Sequence, residues 1–143
     1  MLQLNDIRAS LEVGFPDGTL PDAFLGFRGR ETRTIGVTSE FPYEDAQFEV
    51  VMMDGRAVSH MIVKEAHRVL KPAGHLFFIV PEKTKTQGGF TLPDVYKVVR
   101  DGFDIIDVVR PAWWRFGRGG RTMTICAKKK NWKTLTNTYR PYV

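Results

Sequence analysis

Only one cysteine, Cys126, occurs in the 143 residues, so no intramolecular disulfide can form and nothing argues for an oxidising compartment. Its setting between Ile125 and Ala127 reads as strand, which favours a buried small apolar residue over a reactive thiol. Long apolar runs are missing too: none approaches the roughly 18 residues that a membrane-spanning helix requires. The opening Met1-Leu2-Gln3-Leu4-Asn5-Asp6 lacks the basic start and apolar stretch of a secretory signal, so a cytoplasmic location is expected. Histidines are few and scattered. His60 and His67 can share a helical face but find no third ligand, and a helix end separates His75, so no metal site is expected. Ser39 and Ser59 lack the strand-turn-helix setting of a hydrolase nucleophile. There is no internal repeat and no long low-complexity segment.

Acidic residues are absent from the last quarter of the chain. After Asp107 there is no Asp or Glu, while nine Lys or Arg follow. The overall charge of +5 therefore divides into a net −4 up to Asp107 and +9 beyond it. Such asymmetry suits an anionic partner, nucleic acid or an acidic surface, and suits equally well a merely solubilising end. Arg115, Arg118, Arg121, Lys128, Lys129 and Lys130 are the candidates for RNA or DNA contact. Trp113, Trp114 and Phe116 interleave with them as in nucleic-acid surfaces, though aromatics at a hairpin also pack across strands or between copies. Trp132, Tyr139 and Tyr142 allow the same two readings. Residues 1–130 are read as one domain and 131–143 as a basic, aromatic tail.

Phe48 to Met53 is a continuous apolar run ending at Asp54-Gly55, the pattern of a buried parallel strand. The period then changes: Val58, Met61, Ile62, Ala66, Val69 and Leu70 share one helical face. Lys71-Pro72-Ala73-Gly74 should end that helix in a tight reversal, and His75 to Pro81 is a second buried strand. Thr91 is placed to cap a short helix with Pro93 and Asp94 in its first turn and Gly102 beyond its end. Phe103 to Val109 and Thr122 to Ala127 follow as strands joined by a turn over 116–121 with no intervening helix, so they should run antiparallel. The fold class is α/β: a mostly parallel sheet with an antiparallel C-terminal hairpin.

Phe41-Pro42-Tyr43-Glu44-Asp45-Ala46-Gln47-Phe48-Glu49-Val50-Val51 resembles the segment "LPFPDASFDVV" of class I S-adenosylmethionine-dependent methyltransferases. Glu65 to Gly74 resembles their "E.ARVLKPGG", with Ala73 in place of the first glycine; Gly102-Phe103 and Thr124 to Lys129 match two later motifs in order. The resemblance implies a truncated Rossmann-like domain covering about 90 residues. In that family S-adenosylmethionine is held by a glycine-rich turn after the first strand and by an acidic residue ending the second. Leu11-Glu12-Val13-Gly14-Phe15-Pro16-Asp17-Gly18 is similar in outline to the family's "LEVGCGTG", with Pro16 where the central glycine belongs. It reads as a degenerate remnant of that turn, or as an ordinary Pro-Asp-Gly turn.

By the resemblance, Glu12, Gly14, Asp17 and Gly18 are the cofactor-binding candidates, with Glu40 as a weak stand-in for the ribose-binding acid. Only 22 residues, Thr19 to Glu40, separate this turn from the Phe41-Pro42 motif, where the family builds two helices and two strands. At 1.5 Å per helical and about 3.3 Å per strand residue the four do not fit. One short helix or loop over Leu20 to Phe27 and one strand near Arg33 to Thr38 are expected. Asp54, Arg56 and Glu82 follow the carboxyl ends of parallel strands, where open α/β sheets place ligands, and are the catalytic candidates. Asp54 serves equally as a helix cap. The expectation is a methyltransferase-like protein whose catalysis is impaired or depends on a partner or a second copy. The alternative is a non-catalytic interaction subunit.

Overall fold

A computed structural model describes residues 6–16, 18–110 and 121–130. The candidates within residues 111–120, which include the Trp113-Trp114 pair, Arg115 and Arg118, and the tail 131–143 lie outside the described residues. The elements are β1 (Ala9–Val13), a 3-10 turn (Asp22–Phe27), β2 (Glu31–Ile35), β3 (Phe48–Asp54), a 3-10 turn (Gly55–Ala57), α1 (His60–Val69), β4 (Leu70–Pro81), α2 (Leu92–Val99), β5 (Phe103–Val109) and β6 (Thr122–Lys129). Six strands form one sheet in the order β2-β1-β3-β4-β6-β5. The first four pair in parallel, and β6 runs antiparallel to both β4 and β5. The expected α/β sheet with an antiparallel C-terminal hairpin is therefore present.

Alternation along each strand sends side chains to two separate cores. On one face Leu11, Val13, Val51, Met53, Leu76 and Phe78 pack under Ile62, Ala66 and Val69 of α1 and Val95 and Val99 of α2. On the other, Val50, Met52, Phe77 and Cys126 meet Phe24 and Phe27 of the first 3-10 turn. Phe27 stacks on Phe77 at 4.1 Å, so a six-residue turn does the covering that a helix usually does. Cys126 is fully buried here and its thiol is pushed up to about 12 by desolvation, which agrees with the apolar reading.

The helices start where the caps allow. Ser59 Oγ accepts the Ile62 N–H at 3.3 Å, and Thr91 and Asp94 form a reciprocal capping box at α2. Lys71 to Gly74 does not lie between helix and strand as expected, because β4 already begins at Leu70. Leu70 pairs with Phe48, the register shifts, and pairing resumes at Val50 with His75. The reversal is absorbed as a bulge in which Ala73 takes φ +63°. The expected strand near Arg33 to Thr38 is found two to three residues earlier, at Glu31–Ile35.

Two of the quoted motifs form one physical device. Arg68, on α1, donates to Phe41 O at 3.0 Å, Tyr43 O at 2.8 Å, Asp45 Oδ1 at 2.9 Å and Glu65 Oε2 at 2.7 Å. Glu65 in turn accepts the Phe41 N–H at 2.9 Å. The Phe41–Gln47 segment, which has no regular structure of its own, is thus pinned to α1 before the chain enters β3.

Candidate functional site

Open parallel sheets collect ligands at the carboxyl ends of their strands, which here include the ends of β1, β2 and β3. β1 delivers Gly14 at φ +84°, a conformation that glycine adopts without strain. The Gly14 N–H donates to Ile35 O at 2.9 Å, which extends the β1–β2 ladder by one residue. A Cβ on Gly14 would lie 3.2 Å from Val37 Cγ2 and 3.3 Å from Asp54 Cβ, so the glycine lets three segments converge. Beside it opens a cleft of ≈ 480 Å³, lined by Gly14, Phe15 and Pro16 on one side and Thr34, Ile35, Gly36 and Val37 on the other.

After Gly14 the chain makes a tight turn. Pro16 O accepts both the N–H and the hydroxyl of Thr19, at 3.0 and 2.6 Å. Gly18, at φ +79°, has open space around its Cα, and Asp17 lies outside the described residues. Glu12 is 2% exposed and faces the 3-10 turn, where Arg28 grips it with bonds of 2.7 and 3.0 Å. Its carboxylate is an internal anchor for the β1–β2 crossover. Glu40 is exposed, held near Thr38 only through its main chain, and is not among the residues lining the cleft.

Asp54 caps the short turn after β3 by accepting the Arg56 N–H at 3.0 Å, and Arg56 returns its guanidinium to the same carboxylate at 2.7 Å. The Arg56 guanidinium holds the Asp54 carboxyl below the usual carboxylate range, which suits a fixed negative charge better than a proton acceptor. Gly55 has no room for a side chain, since a Cβ would collide with the carbonyl of Ile79 on β4. Glu82 sits three residues beyond Ile79, the partner of Asp54 in the β3–β4 register. There it pairs with Arg110 at 3.0 Å and Arg121 at 3.2 Å, and Arg110 above all holds its carboxyl low. Gln87 ties this knot by donating to Glu82 O and Arg121 O at 2.9 and 2.8 Å.

The structure thus brings Gly14 and Asp54 together and leaves Glu12, Glu40 and Glu82 elsewhere. Gly36 and Val37 line the cleft as well, although the sequence marked them only as part of an expected strand. Among the described basic residues, Arg121 is paired with Glu82, Lys129 donates to Leu70 O at 2.6 Å and Lys130 to Arg100 O at 2.7 Å. Lys128 is exposed. Among the described residues no cluster of His, Cys, Asp or Glu is suited to a metal ion, and no helix is long and apolar enough to cross a membrane.

A mostly parallel sheet in the order β2-β1-β3-β4-β6-β5, closed by an antiparallel hairpin, is the fold of class I S-adenosylmethionine-dependent methyltransferases. Solved structures agree. The chain is similar to a methyltransferase of this kind from Methanosarcina mazei, at 15% identity over 89% of this chain and 94% of that one, with a TM-score of 0.61. It is similar to the 1,6-didemethyltoxoflavin-N1-methyltransferase of Burkholderia thailandensis, solved with S-adenosylhomocysteine bound, at 18% identity over 87% and 72% of the two chains and a TM-score of 0.61. A third likeness is to the Haloferax volcanii complex of the Trm112 methyltransferase activator with a methyltransferase, at 12% identity over 87% and 83% and a TM-score of 0.61. No family model matches the sequence, and no curated protein matches it.

Proposed function

We propose that this chain is an S-adenosylmethionine-dependent methyltransferase-like protein whose donor site is incomplete in isolation, so that catalysis is impaired unless a partner completes it. The observation that carries this reading is the wall of the cleft opposite Gly14. There the chain runs Ile35-Gly36-Val37, and among the described residues lining the cleft none is a carboxylate that could accept the hydroxyls of a ribose. The main-chain half of a donor cradle is supported only by Gly14, which at φ +84° turns the chain along the edge of the cleft while Val37 and Asp54 fill the space beside its Cα. The sugar half does not fit, and no transfer step is derived from it. Losing a charged acceptor for two hydroxyls costs about 1.5–3 kcal/mol, or roughly ten- to hundredfold in affinity.

Titration calorimetry with S-adenosylmethionine and S-adenosylhomocysteine tests this. The expected dissociation constant is weaker than about 100 μM, on the scale of the missing contact. Low-micromolar binding to the isolated, folded chain would refute the incomplete site. A second reading, a non-catalytic interaction subunit, is favoured by the uncovered outer strand β2, four of whose five residues are exposed. Heat from neither ligand, at any concentration reached, would select it. Nucleic-acid contact through the basic C-terminal region remains part of that second reading, carried by Lys128 and by residues outside those described. A salt-dependent mobility shift on mixed RNA is its test.

A further inference from the structure

β2 ends the sheet, with β1 as its one neighbouring strand among the described residues. Parallel pairing to β1 uses every second residue: the Glu31 N–H donates to Arg8 O at 2.8 Å, and Ile35 O accepts the Gly14 N–H at 2.9 Å. By this alternation Glu31, Arg33 and Ile35 turn their main-chain groups inward, and Thr32 and Thr34 turn theirs outward. Glu31 to Thr34 are all exposed, so neither face of the strand is covered. β2 carries no proline, lysine or bulge to discourage another strand.

We propose that two copies of this chain associate about a twofold axis through antiparallel β2–β2 pairing, joining two six-stranded sheets into one. This rests on the edge alone and not on the donor-site reading above. Main-chain parity and side-chain charge select the register together. The outward groups must face each other, so even-numbered residues pair with even-numbered ones. Among such registers, one places Glu31 against its own symmetry copy and another does the same to Arg33, each a like-charge contact on the axis. The register centred on Thr32 avoids both. It sets Thr32 against Thr32 on the axis, Arg30 against Thr34, and Glu31 against Arg33 twice. The two Glu31–Arg33 pairs then occupy the non-hydrogen-bonded positions, where side chains lie closest. An interface of this kind is isologous and closes after two copies. It supplies about four backbone hydrogen bonds, since the Arg30 N–H is already held by Ile7 O at 3.2 Å, and two ion pairs, so the dimer should be of moderate, salt-sensitive affinity.

Sedimentation equilibrium of the full chain from micromolar to submillimolar concentration reads the association directly. The expected result is a concentration-dependent dimer, weakened about tenfold by Glu31→Arg or Arg33→Glu and restored by the double exchange Glu31→Arg/Arg33→Glu, which rebuilds both pairs with reversed sign. Both sites are exposed, and far-UV circular dichroism confirms that each variant is folded. Amide exchange gives an independent readout: the Thr32 and Thr34 N–H groups should gain protection as concentration rises, while those of Glu31 and Arg33 stay protected throughout. A wild-type chain that remains monomeric overturns the proposal. So does a dimer indifferent to the single exchanges, or one that the double exchange fails to restore in folded protein.

Discussion

Replacing Arg68 with alanine should cost about 3 kcal/mol, a figure built from its partners. The carbonyls of Phe41 and Tyr43 each lose a donor in a half-buried setting, at about 1 kcal/mol apiece. Glu65 loses its counter-charge while remaining tied to the Phe41 N–H, adding about 1 kcal/mol; the exposed pair with Asp45 adds next to nothing. In urea, with a slope of about 2 kcal/mol/M, the unfolding midpoint should fall by about 1.5 M. The loss should also depend on pH. Arg68 first, and then the Phe41 N–H, hold the Glu65 carboxyl below its ordinary value in the folded protein. Stability from this source is therefore present above the unfolded carboxyl's pKa of about 4.3 and disappears as pH falls through the lower folded value. The gap between wild type and variant should narrow on acidification from about pH 5 downwards. A midpoint shift below about 0.3 M at neutral pH, with the slope unchanged, would mean that the Phe41–Gln47 segment is held by something other than Arg68.

Other substitutions probe other parts of the molecule. Arg28→Ala strands the buried Glu12 carboxylate and should cost about 3–5 kcal/mol by thermal or urea unfolding, with Glu12→Gln/Arg28→Ala recovering part of the loss. Ala73→Gly should stabilise by about 0.5–1 kcal/mol, because an alanine at φ +63° carries strain that glycine escapes; a lower melting temperature would contradict this. Val37→Asp places a carboxylate on the bare wall of the cleft and should tighten S-adenosylhomocysteine binding about tenfold by calorimetry. Cys126 should resist a thiol reagent in the native state and react only on unfolding. Because its folded pKa is raised, its contribution to stability is intact below about pH 9 and erodes as pH climbs towards about 12, a trend absent from Cys126→Ala.

The fold was legible wherever hydrophobic period and punctuation agreed. Phe48 to Met53 and His75 to Pro81 read as apolar runs because both faces of those strands are covered; the first was placed almost to the residue, and the second at its C-terminal end, β4 starting five residues earlier at Leu70. Thr91 with Asp94 announced α2 through a local reciprocal cap that needs no tertiary partner. β2 was misplaced for the opposite reason. Glu31-Thr32-Arg33-Thr34 lies exposed at an edge and carries no apolar alternation to read. The Lys71–Gly74 reversal was misjudged because proline and glycine mark a bulge as readily as a chain end. At the site, Gly14 was recognisable from the motif it resembles, and Asp54 from its place after a buried strand. The fates of Glu12 and Glu82 depended on Arg28, Arg110 and Arg121, partners that are distant in sequence and have no local signature.

The place of β6 within the sheet has a consequence for the chain as it leaves the ribosome. β6 slots between β4 and β5, and seven residues of β4, from His75 to Pro81, are matched by Thr122 to Lys128. Until those residues emerge, the largely buried strand β4 of the nascent protein has a bare flank, and β5 has no neighbour to dock on. Premature termination anywhere before Thr122 should therefore yield an insoluble product, whereas trimming beyond Lys130 leaves every described strand with its neighbours.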